Sequence, residues 1–145
     1  MPTLYDKLTN KRYNLLELVK KYGGELSIGR KKSWFQFWEK QPVIQLGTNF
    51  EGYNVLPQEY KEIYGLSINH AKLVYDKEIR IFSIIKNKSS STISILRKNH
   101  KGEDKPIILP YAKNDKIIAK ETLMDNDGII FGIYGPVIYQ QGNFK

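Results

Sequence analysis

Cysteine does not occur in the 145 residues. Disulfides, iron–sulfur clusters, thiolate zinc sites and a cysteine nucleophile are therefore excluded. Histidine occurs twice, at His70 and His100. A histidine-based metal cage would need carboxylates in support, and no H-E-x-x-H spacing is present. Each histidine reads as a surface or boundary residue, and no metal or other cofactor is expected. Long apolar runs are missing as well. The best stretches, 79–85 and 129–133, are strand-sized and far short of the roughly 20 residues that span a bilayer. The segment 1–6, MPTLYD, has no basic region leading into an apolar run, so it does not read as a signal peptide. The expectation is a cytoplasmic protein with no membrane partner.

The phosphate-cradling and hydrolase motifs are absent too. There is no G-x-x-x-x-G-K-[ST], no G-x-G-x-x-G and no G-x-S-x-G. Residues 125–128, DNDG, superficially resemble a calcium loop, but the alternating ligands and closing Glu are missing. A tight hairpin turn is the expected use of that stretch.

What is present is a globular composition with a cationic bias. Hydrophobic residues make up 41% and aromatics 12%, enough for a packed core rather than disorder. The length suits one compact domain over 1–145. Lys+Arg number 23 against 15 Asp+Glu, and 23 − 15 gives +8. Lys, Asn, Ile and Tyr are abundant together, a bias that AT-rich coding sequence produces without any functional pressure. Where the cations fall therefore matters more than their sum.

The hydrophobic pattern predicts an α+β domain, predominantly antiparallel β-sheet, barrel- or sandwich-like, with two short helices near 14–22 and 57–64. The first helix opens on a capping box, Asn14 to Glu17, carries Leu15, Leu18, Val19 and Tyr22 at helical spacing, and stops at Gly23. The second has Pro57 at its first position and Tyr60, Ile63 and Tyr64 as its stripe. Leu4 and Leu8 suggest a further short helical turn over 3–8. Residues 25–29 and 33–40 predict a hairpin around 29–32, followed by a strand over 43–46. Period-2 alternation predicts strands over 78–86, 91–98, 106–109, 116–122, 128–134 and 137–140, with turns at 125–128 and at Gly135-Pro136.

Two basic clusters stand out as candidate binding residues. Arg30, Lys31 and Lys32 sit at the expected hairpin tip and run into Trp34, whose strand carries aromatics on both faces. Cations there would neutralise phosphates, and an aromatic face would stack on an unpaired base. Lys86, Lys88, Arg97, Lys98 and Lys101 would gather at one end of a hairpin formed by 78–86 and 91–98. His100 lies among them, where neighbouring positive charge favours the neutral imidazole. Lys11, Arg12, Lys20 and Lys21 read as the solvated side of the first helix.

The function these features favour is non-enzymatic nucleic-acid binding, DNA or RNA, through the basic tip and the basic loop. Two other classes compete. One is a protein–protein interaction or assembly factor of a phage or mobile element, or a homo-oligomer, using exposed aromatics around 34–38 or 134–139. The other is a metal-independent ribonuclease, with Glu78 and Arg80 on one strand face and His100 approaching from the next loop.

Overall fold

The computed structural model describes residues 2–7, 9–30, 42–46, 69–87, 92–99, 101–109 and 120–142. Among these are eleven strands and one helix. In chain order they are β1 (Thr3–Asp6), β2 (Lys11–Asn14), α1 (Leu15–Tyr22), β3 (Glu25–Arg30), β4 (Ile44–Leu46), β5 (Ala71–Asp76), β6 (Ile81–Lys86), β7 (Ile93–Lys98), β8 (Asp104–Leu109), β9 (Lys120–Thr122), β10 (Asp127–Phe131) and β11 (Tyr134–Gln140). The expected strand over 33–40 and the expected helix over 57–64 lie outside the described residues. No helix among those described is long and apolar enough to cross a membrane.

The strands form two sheets. One has the order β2-β1-β11-β10-β7-β8 and the other β4-β3-β5-β6-β9. All pairings are antiparallel except β3 with β4. The sheets share one core. Leu4, Ile95, Ile129 and Val137 from the six-stranded sheet and Leu26, Leu73, Phe82 and Ile84 from the five-stranded one are fully buried. Phe82 meets Tyr139 edge-on across the gap, with ring centroids 6.3 Å apart. Apolar residues at every second position turn inward on both sheets, which is the physical basis of the strand pattern in the sequence.

Helix α1 forms where its signals place it. The Asn14 carboxamide oxygen accepts from the Glu17 N–H at 3.2 Å, Lys20 and Lys21 occupy the last turn, and Gly23 at φ +96 donates to the Val19 carbonyl at 2.8 Å. Leu15 is buried, whereas Tyr22 is 52% exposed and falls outside the expected stripe.

Several expectations are corrected. Residues 3–6 are strand, because β1 is claimed on both sides by β2 and β11. Lys11 and Arg12 lie on β2, which leads directly into α1, and not on the helix itself; Arg12 stacks over the Tyr5 ring at 4.4 Å. The expected hairpin of 25–29 with 33–40 rests on residues outside those described; β3 itself pairs with parallel β4 and antiparallel β5. Strand β6 begins at Ile81, not at 78. The Asp76 carboxylate accepts from the Glu78 N–H at 3.0 Å and Arg80 takes φ +55, so 77–80 is a turn. Residues 125–128 do turn, but they connect β9 to β10 across the two sheets and do not close a hairpin. The β10–β11 turn falls at Gly132-Ile133, and Gly135-Pro136 lies inside β11. Gly135 is required there: at φ +140 a Cβ would sit 2.6 Å from the Ile129 carbonyl oxygen.

Buried tyrosines tie the layers together. Tyr134 donates its hydroxyl proton to the buried Asp6 carboxylate at 2.7 Å, and Tyr13 donates to the Gln45 carbonyl at 2.9 Å. Tyr139 donates to the Gln141 side chain. Tyr134 and Tyr139 are thus core residues and not the exposed aromatics expected from sequence. Burial, with the Asp125 and Asp127 charges adding, pushes Tyr139 up to about 12, and burial followed by Asp6 raises Tyr13 in the same direction. The folded state then holds these protons more tightly than the unfolded chain, where Tyr titrates near 10. Their contribution is complete below about pH 10 and is lost as pH rises through the folded-state values, for Tyr139 toward 12. For Tyr139 the full loss is on the order of 2–3 kcal/mol. Urea midpoints measured at increasing pH should fall across that window in the wild type and fall less steeply in Tyr139→Phe. An equal alkaline decline in both would remove Tyr139 as its source.

Candidate functional site

The strand registers give the sandwich two distinct ends. At one, Ile28, Ala71 and Lys86 stand in a single row across β3, β5 and β6. The ladder continues one step beyond the strands: the His70 N–H donates to the Ile28 carbonyl and the Asn87 N–H to the His70 carbonyl, both at 3.0 Å. Gly29 and Arg30 extend past this row beside Gln45 and Leu46 of β4. β3 and β6 run in the same direction with β5 between them, so Arg30 and Asn87 both stand at this end of the sheet. Lys31 and Lys32 follow Arg30 in sequence, and Lys88 follows Asn87; these three, with Trp34, lie outside the described residues.

A recess of about 400 Å³ opens at this end, lined by Ser27, Asn69, Lys72, Ile85, Lys86 and Asn87. Lys86 is 4% exposed, and its ammonium donates to the Asn87 carbonyl at 2.6 Å. Burial pushes its pKa down, since a charge drawn from water is costly. Lys72 pairs with Glu25 at 3.3 Å on the open surface, a contact of the weak kind that a ligand can replace. His70 is fully buried, which overturns its reading as a surface residue. Its ring meets that of Phe131 edge-on, with centroids 5.6 Å apart, so it anchors the end of one sheet on the other.

The second basic cluster is split, with Lys86 at this end and Arg97 and Lys98 at the other. β6 and β7 belong to different sheets, so the expected hairpin of 78–86 with 91–98 does not exist. Ile93, at the start of β7, pairs with Phe131 beside His70. Arg97 and Lys98 lie at the far end of that strand, roughly 15 Å along the chain at 3.4 Å per residue.

Arg97 is engaged internally. Its Nε and Nη2 donate to the two Asp127 carboxylate oxygens at 3.0 and 2.8 Å, Nη1 to Glu121 at 3.3 Å and Nη2 also to the Thr122 carbonyl at 2.9 Å. Asp127 is 1% exposed and also accepts from the Met124 N–H. The Asp127 hydrogen bonds hold the guanidinium pKa above its ordinary value against the opposing effect of burial. The bridge thus joins β7 and β10 of one sheet to β9 of the other.

Lys98 and Lys101 are exposed around a turn built by Asn99, whose side-chain oxygen accepts from the N–H groups of Lys101 and Glu103 at 2.9 and 3.0 Å. His100 lies outside the described residues. Glu78 and Arg80 are exposed in their turn and share no strand face. Among the described residues no group of three or more His, Asp or Glu is placed to hold a metal ion.

Sequence reasoning missed Ser27, Asn69, Lys72 and Asn87. The only local signal was the polar Asn-His pair ahead of the β5 run and the Lys-Asn pair after β6. Their convergence is a property of register. Comparison with protein-family models, with curated proteins and with solved structures finds no match for this chain.

Proposed function

We propose that the chain is a non-enzymatic binding module that takes a phosphate-bearing ligand at the Arg30 and Asn87 end, with nucleic acid as the first ligand class. One observation carries this reading. β3 and β6 run in the same direction and finish at one end of the sheet, with β5 between them, so Arg30 and Lys86 stand at the end where a recess is lined by Asn69, Lys72 and Asn87. Cations supply the phosphate attraction, and amide groups supply directed donors.

A second reading, a phosphorylated side chain of a protein partner, draws support from a separate observation. Among the described residues, Arg30 and Lys86 stand at one end and Lys98 and Lys101 at the other, with no continuous stripe between them, while the recess is compact. Phosphate recognition by a local cluster of cations is the corresponding mode.

Fluorescence anisotropy separates the readings. The probes are labelled single-stranded RNA, duplex DNA, and one peptide with and without phosphothreonine, each at several salt concentrations. If residues 30–32 contact duplex phosphates, log K falls with log salt at a slope of roughly −2.7 for about three contacts. Reversing Arg30, Lys31 and Lys32 to Glu should weaken binding about tenfold or more with an unchanged circular dichroism spectrum. Binding of the phosphopeptide alone would select the second reading. Binding of none of the probes would end both.

A further inference from the structure

Among the described residues four strands stand at sheet edges, β2 and β8 in one sheet and β4 and β9 in the other. An edge strand offers unpaired backbone groups to any extended chain, copies of itself included. β2, β4 and β9 are short, with four, three and three residues. Two of them are also tied across the sandwich: the Gln45 carbonyl of β4 accepts from Tyr13, and the Thr122 carbonyl of β9 accepts from Arg97. β8 differs. It runs for six residues, Pro106 is exposed and Ile108 is 61% exposed. A long, exposed, apolar edge invites strand-to-strand association.

Two hydrogen bonds fix which backbone groups of β8 face outward. The Asn99 N–H donates to the Glu103 carbonyl at 2.8 Å, one step beyond the Lys98–Asp104 pair. On the other side of β7 the Gly132 N–H donates to the Thr92 carbonyl at 2.9 Å, one step beyond the Ile93–Phe131 pair. Antiparallel partners alternate between hydrogen-bonded and non-hydrogen-bonded pairs. Arg97–Lys105, Ile95–Ile107 and Ile93–Leu109 are therefore the bonded pairs, and Asp104, Pro106 and Ile108 turn their backbone groups away from β7. Pro106 thus breaks no rung of the ladder. Its missing N–H falls wholly on the outer edge, where it separates the Asp104 and Ile108 donors by about 14 Å.

A second copy meets this gap in each register that forms a ladder. Antiparallel addition pairs outward residues with outward residues, and parallel addition draws on the same groups. Any antiparallel register that joins more than one such pair along β8 includes Pro106, opposite itself or opposite Asp104 or Ile108 of the other copy. Each of those pairs lacks a hydrogen bond, and the ring fills the space the N–H would use. Lys105 adds a second obstacle. It alternates with Ile107 and Leu109 on the inward side yet is exposed, so an added strand would set its side chains beside an ammonium.

We infer that Pro106 guards the β8 edge against strand addition by a second copy of the chain. This is independent of phosphate binding at the sandwich end.

The test compares wild type with Pro106→Val by sedimentation velocity from about 10 µM to about 1 mM, in low salt and in about 1 M salt, where exposed charges are screened within about 3 Å. Valine restores the outward N–H and suits a strand. Wild type should not pair through β8 in either salt, which separates the effect of the proline from that of the +8 charge. Pro106→Val should self-associate about tenfold or more tightly. Amide hydrogen exchange should slow at Asp104, Ile108 and the substituted position as the dimer forms. In the wild type, Lys105, Ile107 and Leu109 should exchange slowly, and Asp104 and Ile108 fast. A folded Pro106→Val that stays monomeric to about 1 mM, or a dimer protected elsewhere, would overturn the inference. Slow exchange at Asp104 and Ile108 in the wild type would overturn it too, and that measurement needs no variant to fold.

Discussion

Replacing Arg97 by Ala is expected to cost about 3–5 kcal/mol of stability, because it leaves a buried carboxylate without its counter-charge. Asp127 is 1% exposed and receives two of the four hydrogen bonds the guanidinium donates. The same side chain holds Glu121 and the Thr122 carbonyl, so the sheet-to-sheet tie is lost together with the charge balance. With a urea dependence near 2 kcal/mol per molar, the midpoint should fall by about 2 M. Asp127→Asn should cost less, about 1–2 kcal/mol. The amide can still accept from Met124, and the Arg97 charge keeps Glu121 and some solvent. Lys98→Ala, one residue on and exposed, should stay within about 0.5 kcal/mol. A midpoint for Arg97→Ala within error of Lys98→Ala would show that the bridge is not a clamp.

That contrast between neighbours shows what the amino-acid sequence can and cannot reveal. Arg97 and Lys98 look alike as members of a basic run, yet one points between the sheets and the other out of them. Alternation makes the difference in facing legible, but not what stands opposite. Asp127, from a turn-like DNDG stretch, becomes a buried acceptor only because β9 and β10 belong to different sheets. No local pattern encodes that crossing. The same limit explains the expected β6–β7 hairpin. Sequential strands pair or neighbour one another about two-thirds of the time, and here the chain crosses over instead. The expected cluster of Lys86 with Arg97 and Lys98 is therefore split between the two ends of the sandwich.

Local signals succeeded where local chemistry decides. The Asn14 cap and the Gly23 stop of α1 are one-turn interactions, and β7 and the second half of β11 alternate buried with partly exposed positions. They failed where two local rules compete. Ile79 continues the apolar alternation of β6, but the Asp76 side chain captures the Glu78 N–H and the chain turns. Residues 3–6 carry too few positions to separate a helical turn from a strand, and pairing with β2 and β11 settles it. At the candidate site the cations of residues 30–32 and 86–88 were visible in sequence. The amides and the buried histidine that adjoin them were not, because it is the backbone ladder that brings Ile28, His70 and Asn87 together.

That ladder ties the core residue Phe131 to the site. Its ring is fully buried and rests edge-on against His70, whose backbone bridges Ile28 and Asn87. Phe131→Ala is expected to cost about 3–5 kcal/mol, from lost burial and from a cavity directly beneath His70. Phe131→Leu keeps most of the volume and should cost no more than about 1.5 kcal/mol. It removes the flat edge contact, however, so the His70 rung loosens and the walls of the recess at Asn69, Lys86 and Asn87 shift with it. Affinity for whichever phosphate probe binds should then drop about fivefold in Phe131→Leu, at a temperature where the variant is fully folded. Ile95→Ala is the control. Ile95 is equally buried, pairs with Ile107 and Ile129, and lies farther from the His70 contact along β7. It should lose about 2–4 kcal/mol and keep its affinity. If Ile95→Ala and Phe131→Leu lose affinity in proportion to their stability, the ladder does not shape the recess. If Phe131→Leu alone loses it, the packing between the sheets sets the geometry at the end where β3 and β6 leave the fold.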